Sequence, residues 1–444
     1  MNKEEVEQRL IEVEKELKYY KELTDSLSQQ KTLAILTGET VIQSRKSFKK
    51  LLRLPLDILN IRRDFLAGKI KPKNNILING MVEPMKFSKD SVLFMATNGV
   101  GLGHLTRCLA IARVMKEHMD ARQIIFLTTS PALHLVRAEG FIPFYVPSRE
   151  MFGKDISASQ WEILLSSTFR DLFELYDIQT IIFDGAIPYQ SLSSVLSEKS
   201  NVERIWIRRG SERRNTQKAR DGYEELFDHI IIPTELNEEC IDKDNRHHKV
   251  EPVVYLREDE LISREDVRNK FNVSEHEKLV YIQLGAGKIN DIKTMQELVI
   301  EKLLSYENIV LIIGQSPIGS ELNYRHKCIR VIKDYPNSKY FKGFDFAVSA
   351  CGYNSFHEII ASNVPALFIP NLNTTTDDQM ARALRAEELG CGLVLKSMDE
   401  KELEQKLKIL IEDDKRNKLS VAAQHVNYFK GAIQAAESIL RLKG

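Results

Sequence analysis

The segment CGYNSFHEIIASNVPALFIP, residues 351–370, contains a glycine, a helix-like stretch with one acid and an apolar run that ends in proline. It follows the apolar run Phe346 to Ser349, so it reads as strand, glycine turn, helix and strand. This order predicts one repeat of a doubly wound, parallel α/β sheet. The helix of such a repeat begins where a strand ends, and its free N–H groups and dipole favour an anionic ligand there.

A second glycine segment, GVGLGHLTR at residues 99–107, follows the apolar run Val92 to Ala96 and leads into a helical pattern. Gly101 and Gly103 allow the loop to turn tightly beside a ligand and to direct His104 into it. The two glycine segments are separated by roughly the length of a domain. We therefore expect a site between two halves of the protein, each of which binds one substrate.

The chain between and around these segments alternates apolar runs with helical stretches. After a charged break at residues 238–264 the alternation restarts, which predicts two successive Rossmann-like domains, residues 91–250 and residues 251–444. The predicted strands are Val92–Ala96, Gln123–Leu127, Ile142–Val146, Thr180–Phe183, Arg204–Ile207, His229–Ile232, Leu279–Gln283, Val310–Ile313, Phe346–Ser349 and Ala366–Ile369.

Composition sets the class of protein. The 444 residues suffice for two domains and an extension, and 43% hydrophobic with 28% charged residues is typical of a globular chain. Lys plus Arg and Asp plus Glu both number 63, so no basic surplus indicates nucleic acid as a partner. Five scattered cysteines favour neither a disulfide framework nor a zinc site, and they are typical of a reducing cytoplasm. We expect no signal peptide and no membrane-spanning segment.

The N-terminal extension has two parts. Between residues 3 and 30, seven mostly apolar residues recur at alternating steps of four and three, as in the seam of a coiled coil. We therefore predict a short coiled coil in residues 1–32. Self-association into a homo-oligomer through this segment and docking of a single amphipathic helix on its own domain both fit the pattern. The seam residues are Val6, Leu10, Val13, Leu17, Tyr20, Thr24 and Leu27.

Residues 33–90 form a basic amphipathic segment followed by a linker. Between Arg45 and Lys73 ten basic residues accompany only Asp57 and Asp64, and an apolar set is interleaved with them. Such a helix, which we expect to be interrupted at Pro55, can lie on an anionic membrane surface or pack as a solvated helix on the main body.

The start of the predicted helix after residue 350 offers a phosphate site. Gly352, Asn354 and Ser355 follow a strand directly, so backbone N–H groups and the helix dipole can hold a diphosphate there. Glu358 lies one turn further, where its carboxylate can accept hydrogen bonds from both ribose hydroxyls. The simpler alternative is a helix cap followed by a surface acid.

Two further loops point to the same pocket. PNLNTTTDDQMARA, residues 370–383, places Asp378 and Gln379 at a helix start, where polar side chains can reach a sugar. LGAGKIND, residues 284–291, offers Gly285 and Gly287 for close approach of the backbone to a ligand. Together these segments predict a nucleotide-sugar pocket.

Residues 91 to about 440 resemble the GT-B glycosyltransferases of family 28. The spaced pattern that carries the resemblance is similar to the donor-site signature of that family. Asn363 stands where the family usually has glycine and Arg382 where it often has asparagine, so the identity of the sugar stays open. The pattern consists of Gly352, Ser355, Glu358, Asn363, Pro365, Pro370, Gln379 and Ala383.

The resemblance implies a UDP-sugar held mainly by the C-terminal domain and an acceptor held mainly by the N-terminal one, with no cofactor and no obligatory metal. It places Gly101 and Gly103 near the donor phosphates and His104 at the reacting centre. As a neutral imidazole, His104 can remove the proton of the acceptor hydroxyl, and a single displacement inverts the anomeric carbon. Alternatively, His104 caps the next helix.

Charged residues at other strand ends are further candidates. Asp184 closes a strand in IIFDGAIPY and is expected to orient His104, to touch the acceptor or to serve as a turn residue. Arg107 is either a phosphate contact or a helix-surface residue. The loop IRRGSERR, with Arg208, Arg209, Arg213 and Arg214, is suited to an anionic acceptor or to salt bridges with acids such as Glu212.

The function expected from these features is that of a cytoplasmic inverting hexosyltransferase, peripheral on the inner face of the cell membrane. It transfers sugar from a UDP donor to a hydroxyl of a lipid-linked or surface-polysaccharide acceptor. Two alternatives share the fold: a nucleotide-sugar hydrolase or 2-epimerase, and a non-catalytic nucleotide-sugar-binding adaptor.

Overall fold

The structure is a computed structural model that forms two compact units, residues 1–86 and residues 87–444. The residues it describes are 40–41, 48–66, 90–97, 101–120, 123–199, 201–209, 222–242, 244–285, 290–318, 322–374, 377–397, 399–426 and 430–442. The predicted coiled coil of residues 3–30 lies outside these ranges, as does most of the predicted linker. No helix within the described ranges is long and apolar enough to cross a membrane.

The first unit contains one described helix, α1, Phe48–Leu66. It runs through Pro55 without a break, so the expected interruption there is wrong. Leu54 and Ile58, one turn apart, are buried, whereas Leu56 and Leu59 are about three-fifths exposed, at 62% and 61%. The basic helix therefore presents apolar side chains to solvent.

The second unit begins with a parallel sheet of seven strands, which we call lobe 1 together with its helices. The strand order is β3-β2-β1-β4-β5-β6-β7. The strands are β1 Ser91–Ala96, β2 Ile124–Thr128, β3 Ile142–Tyr145, β4 Ile178–Asp184, β5 Glu203–Ile207, β6 His229–Pro233 and β7 His247–Val250. The α-helices are α2 Gly103–Met115, α3 Leu133–Ala138, α4 Ala158–Leu175 and α5 Gln190–Glu198.

Lobe 2 is built on a second parallel sheet, of six strands in the order β10-β9-β8-β11-β12-β13. The strands are β8 Lys278–Gln283, β9 Ile309–Gly314, β10 Ile329–Ile332, β11 Phe346–Ala350, β12 Ala366–Ile369 and β13 Leu393–Val394. The α-helices that follow residue 263 are α6 Arg264–Lys270, α7 Asn290–Leu304, α8 Tyr353–Ala361, α9 Gln379–Glu388, α10 Glu400–Ile411, α11 Asp413–Gln424 and α12 Gly431–Leu442.

Both sheets are covered on both faces, which explains why their central strands are largely apolar. All six residues of β1 and all six of β9 are buried. Side chains alternate between faces along a strand, so each sheet feeds two separate apolar clusters. This arrangement confirms the expected pair of Rossmann-like domains.

The topology brings the glycine segments to the points where each sheet reverses its strand order. In lobe 1 this point lies between β1 and β4, and Ala96 at the end of β1 pairs with Asp184 at the end of β4. In lobe 2 it lies between β8 and β11, where Gln283 pairs with Ser349. Ligands of open α/β sheets bind in the crevice outside the strand ends at such points.

The last helix returns to lobe 1. Ala432, Ala435, Ala436 and Ile439 of α12 pack into the apolar cluster formed by α2 and the first sheet. The division at residue 250 drawn from the sequence assigns α12 to the C-terminal domain, whereas the structure packs it on lobe 1. Two chain segments therefore connect the lobes.

Gly431, the first residue of α12, is packed too closely for any side chain. A Cβ there would lie 2.2 Å from the carbonyl oxygen of Glu251 and 2.4 Å from that of Pro252. These are backbone atoms, so Gly431→Ala must displace α12 or the segment after β7. We expect a loss of about 1–3 kcal/mol in the free energy of unfolding, measured by urea denaturation. Gly222→Ala is the control, since nothing lies within 4 Å of its Cβ position, and equal stability of the two variants would contradict the packing.

Candidate active site

His104 and Asp184 meet at the reversal point of the lobe 1 sheet. His104 is the second residue of α2, and its Nδ1 lies 2.7 Å from Oδ1 of Asp184. The aspartate side chain is fully buried, whereas that of histidine keeps 19% of its surface exposed. A carboxylate at Nδ1 fixes the ring, places the proton on Nδ1 and leaves Nε2 as the basic nitrogen.

Arg107, one turn further along α2, binds the same carboxylate. Its Nε donates to Asp184 Oδ2 at 2.8 Å and its Nη2 donates to Oδ1 at 2.5 Å. Burial alone would raise the pKa of Asp184, but Arg107 and His104 outweigh that effect, so the pKa lies below the usual value. Asp184 is therefore ionised at neutral pH, and Arg107, only 2% exposed, is an ion-pair partner rather than a helix-surface residue.

The charge state of His104 follows from its surroundings. Burial lowers its pKa below the ordinary value, although Asp184 partly opposes the shift. The imidazole is consequently neutral at pH 7, which is the form that can accept a proton. His104 and Asp184 have the arrangement of a general base and the group that orients it.

The N-terminus of α8 in lobe 2 faces the N-terminus of α2. Asn354 Nδ2 donates to the carbonyl oxygen of Gly103 at 3.1 Å and so joins the two helix starts. Neither helix has a side-chain hydrogen bond at its N-cap. A Cβ added at Gly101, Gly103 or Gly352 would meet nothing within 4 Å, so open space adjoins both helix starts. Two uncapped N-termini beside open space are suited to an anion.

Gly285 lies next to this region, at the end of β8. Its φ of +102° is a conformation that favours glycine, and its Cβ position lies 3.9 Å from Cβ of Ala350. The structure thus brings Gly285 beside the turn that precedes α8. Gly287 lies outside the described residues.

Ser355 and Glu358 follow on α8. Ser355 is half-buried in the first turn. Burial of the Glu358 carboxyl group raises its pKa to about 7, and a hydrogen bond from the backbone amide of Tyr255 partly offsets that rise. Glu358 therefore lies beside the segment that connects the lobes.

Asp378 and Gln379 have structural contacts at the start of α9. Asp378 is the N-cap and accepts a hydrogen bond from the Ala381 amide at 3.1 Å. Gln379 Oε1 accepts from the Asn371 amide at 3.0 Å and holds the preceding loop. The acid that reaches lobe 1 is instead the neighbouring residue, Asp377, which lies 3.1 Å from Nη1 of Arg209.

The arginines after β5 have different partners. Arg208 forms an ion pair with Glu224 of lobe 1. Arg209 crosses the cleft to Asp377, and burial beside Arg107 and Arg382 lowers its pKa despite that partner. Arg213 and Arg214 lie outside the described residues, as does Glu212.

The comparison with protein families decides the identity of lobe 2. The family described as "Glycosyltransferase family 28 C-terminal domain" matches residues 285–436, which contain α8, Glu358 and Gln379. Residues 285–436 therefore form a glycosyltransferase family 28 C-terminal domain. A comparison with curated protein sequences gives no significant match.

Solved glycosyltransferases share the two-lobed GT-B fold. The spinosyn forosaminyltransferase SpnP is 13% identical with a TM-score of 0.58, and the match covers 80% of this chain and 100% of that one. MurG from Acinetobacter baumannii is 14% identical with a TM-score of 0.52, and the match covers 79% and 99%. A Listeria monocytogenes protein assigned as a UDP-N-acetylglucosamine 2-epimerase is 11% identical with a TM-score of 0.54, over 80% and 95%. At such identities the likeness shows the fold alone.

The cleft between the lobes also contains charged residues that the sequence did not reveal as a group. Glu235, after β6 of lobe 1, meets Arg382 and His357 of lobe 2, and Asp377 bonds both Arg382 and Arg209. We call these five residues the interlobe ion cluster. The one signal in the sequence was Arg382, which stands where the family often has asparagine.

Tyr353 links the interlobe ion cluster to Asp184. Its ring lies between two guanidinium groups, that of Arg107 at 5.3 Å and that of Arg382 at 5.4 Å. Its hydroxyl donates to the carbonyl oxygen of Thr234 and accepts from the Val253 amide, both at 3.3 Å. Tyr353 of lobe 2 therefore contacts polar groups of both lobes.

Proposed function

We propose that this protein, whose lobe 2 matches the family 28 C-terminal domain, is an inverting, metal-independent glycosyltransferase that transfers a sugar from a UDP-sugar to a hydroxyl of a lipid-linked or polysaccharide acceptor. One observation carries the proposal. The His104–Asp184 pair of lobe 1 and the uncapped start of α8 in lobe 2 border the same open space, and Asn354 joins them across it.

The donor is placed by lobe 2. Its diphosphate lies at the start of α8, where the backbone of Gly352, Asn354 and Ser355 offers N–H groups and the helix dipole. Gly285 allows the backbone to approach from the end of β8. Glu358 accepts hydrogen bonds from the ribose hydroxyls.

The leaving group needs positive charge, which side chains and helix ends provide in place of a metal. Arg209 is a cation in the cleft whose pKa burial has lowered, so an added anion stabilises it. As the bond between the sugar and the diphosphate breaks, the diphosphate gains charge beside Arg209 and the start of α8.

The chemical step uses His104. Nε2 accepts the proton of the acceptor hydroxyl while the oxygen of that hydroxyl forms a bond to the anomeric carbon. The bond from that carbon to the diphosphate oxygen breaks, and UDP leaves with the electron pair. Attack from the side opposite the leaving group inverts the carbon. The imidazolium that forms is stabilised by Asp184.

Contacts to the donor sugar differ from those implied by the resemblance. The side chains of Asp378 and Gln379 hold the α9 turn, and the side chain of Arg382 is fully buried. Asp377 and Arg209 keep about a tenth of their surface exposed, at 11% and 12%. We therefore assign the polar contacts of the sugar to Asp377 and Arg209, with Gln379 behind them.

The acceptor approaches lobe 1. The anionic acceptor contact expected of Arg208 is not part of this proposal, because Arg208 already pairs with Glu224. Exposed Leu56 and Leu59 on the basic helix α1 support a peripheral position on an anionic membrane, at its cytoplasmic face. A lipid-linked acceptor is present at such a surface.

Glu358→Gln tests the donor site. Loss of a charged acceptor is expected to weaken UDP binding about 10- to 100-fold, measured by calorimetry on the wild type and the variant. Because the pKa of Glu358 is raised to about 7 and the ionised form binds, wild-type affinity should increase from pH 6 to pH 8. The variant should lose this part of the pH dependence.

The control is Glu388→Gln, since that side chain is 68% exposed and pairs only locally with Arg385. Equal UDP affinity in wild type and Glu358→Gln would contradict the assignment of the ribose site. Transfer must also depend on the acceptor. Release of free or epimerised sugar at the same rate without any acceptor would favour the hydrolase or 2-epimerase instead.

A further inference from the structure

Glu235 is a lobe 1 residue whose side chain is held by lobe 2. It follows β6, two residues after Pro233. Its Oε1 accepts from Arg382 Nη2 at 2.6 Å and its Oε2 accepts from Arg382 Nε at 2.8 Å, a fork geometry that fixes direction as well as distance. Oε2 also lies 3.2 Å from Nε2 of His357.

Arg382 carries this contact to the donor site. Its Nη1 donates to the carbonyl oxygen of Cys351 at 2.9 Å, and Cys351 directly precedes Gly352 at the start of α8. Its Nη2 also donates to Asp377 at 2.9 Å. The guanidinium group thus ties three parts of the cleft together: the turn before α8, the turn before α9 and lobe 1.

Burial makes these contacts hard to exchange for water. The side chains of Arg382 and His357 are fully buried and that of Glu235 is 14% exposed. Opening the cleft at this point would leave Arg382 without one of its two carboxylate partners. Removal of one partner from a buried ion pair is strongly destabilising because a charge remains uncompensated.

We infer that Glu235 is a positioning residue that, through Arg382, holds the lobes closed before the donor arrives and sets the start of α8 against His104. The expected effect on catalysis rests on the proposed function, whereas closure of the lobes does not depend on it. Arg382 is a cation whose side chain is fully buried and is held by an acid of lobe 1. The position therefore serves closure of the cleft rather than direct contact with the sugar.

The first readout is the distance between the lobes without any nucleotide. Spin labels attached to cysteines at positions 175 and 421 report this distance, since Leu175 on α4 and Val421 on α11 are 50% and 52% exposed. Cys240 and Cys328 are first replaced by serine, because they are not buried and would also be labelled. Wild-type protein should give one narrow distribution, and Glu235→Gln should add a clearly separate population. The control Glu239→Gln, an exposed acid four residues on, should resemble the wild type. An unchanged distribution in Glu235→Gln would overturn the inference.

The second readout separates positioning from folding and from donor binding. UDP contacts lobe 2, so Glu235→Gln should keep UDP affinity within about threefold while kcat falls by about 10- to 100-fold. A fall in UDP affinity that accounts for the whole loss of activity, or a kcat within twofold of wild type, would count against a positioning role for Glu235. Arg382→Asn should lower kcat at least as far as Glu235→Gln, and adding Glu235→Gln to Arg382→Asn should change kcat little further, because the loss of Arg382 already removes the Glu235 contact.

A variant that keeps the negative charge distinguishes a loss of positioning from a loss of folding. Glu235→Asp retains the carboxylate but is too short to reach both Arg382 and His357, so its kcat should fall between those of wild type and Glu235→Gln. If wild-type protein neither binds UDP nor transfers sugar, the proposed function fails, while the label distances still decide whether Glu235 closes the cleft.

Discussion

His104→Ala is expected to lower kcat by about 10²- to 10⁴-fold, the usual contribution of a general base, while UDP affinity changes by less than about threefold. The reason lies in the geometry. The Nδ1 side of the ring is occupied by Asp184, so the side chain reaches the cleft only with Nε2. Single-turnover transfer at saturating donor measures the chemical step, and calorimetry measures UDP binding.

His134→Ala is the matched control, because that histidine lies exposed on α3 of the same lobe. If His104→Ala retains more than about a tenth of the wild-type kcat, the imidazole is not the base. A parallel loss of UDP affinity would point instead to a contact with the donor.

Asp184→Asn should lower kcat by about 10³- to 10⁴-fold, as expected when the group that fixes the tautomer of a catalytic histidine is neutralised. The pH profile gives a specific signature. Because the base must be neutral, kcat/KM of the wild type should fall at acid pH as His104 becomes protonated. This fall should occur below the ordinary histidine pKa of about 6.5. Because Asp184 raises the pKa of His104, removal of its charge should move this acid limb to still lower pH.

The same substitution leaves Arg107 buried without its partner, so the free energy of unfolding should fall by about 3–5 kcal/mol. Asp184→Asn combined with Arg107→Met removes both charges and should recover much of that stability without recovering activity. Chemical denaturation and kcat together separate the two effects. An active double variant, or an acid limb that does not move, would contradict the role assigned to Asp184.

The sequence predicted ten of the thirteen strands and missed β7, β10 and β13. β1, β4 and β9 contain the apolar runs expected of buried strands, and the structure places them as expected within one or two residues. β7 has the sequence HHKV at the edge of its sheet, β10 keeps partly exposed residues and β13 has two residues. Such strands form because a neighbouring strand offers hydrogen bonds, which local patterning does not reveal.

The pairing of His104 with Asp184 was accessible from the sequence for a topological reason. Both follow apolar strands, and in a doubly wound sheet the ends of the strands beside the reversal point converge. Glu235, Asp377 and His357 were not recognised, because their proximity depends on how two lobes face each other. Asp378 was predicted from its place at a helix start, and the structure uses it as the N-cap.

The most direct test is a crystal structure of the protein with UDP. The structure predicts a diphosphate within hydrogen-bond distance of the backbone N–H groups at Gly352 to Ser355, the ribose at Glu358 and the terminal phosphate directed toward His104. UDP bound outside the cleft, or bound in the cleft with the start of α8 left empty, would contradict the proposal that the two lobes form one active site.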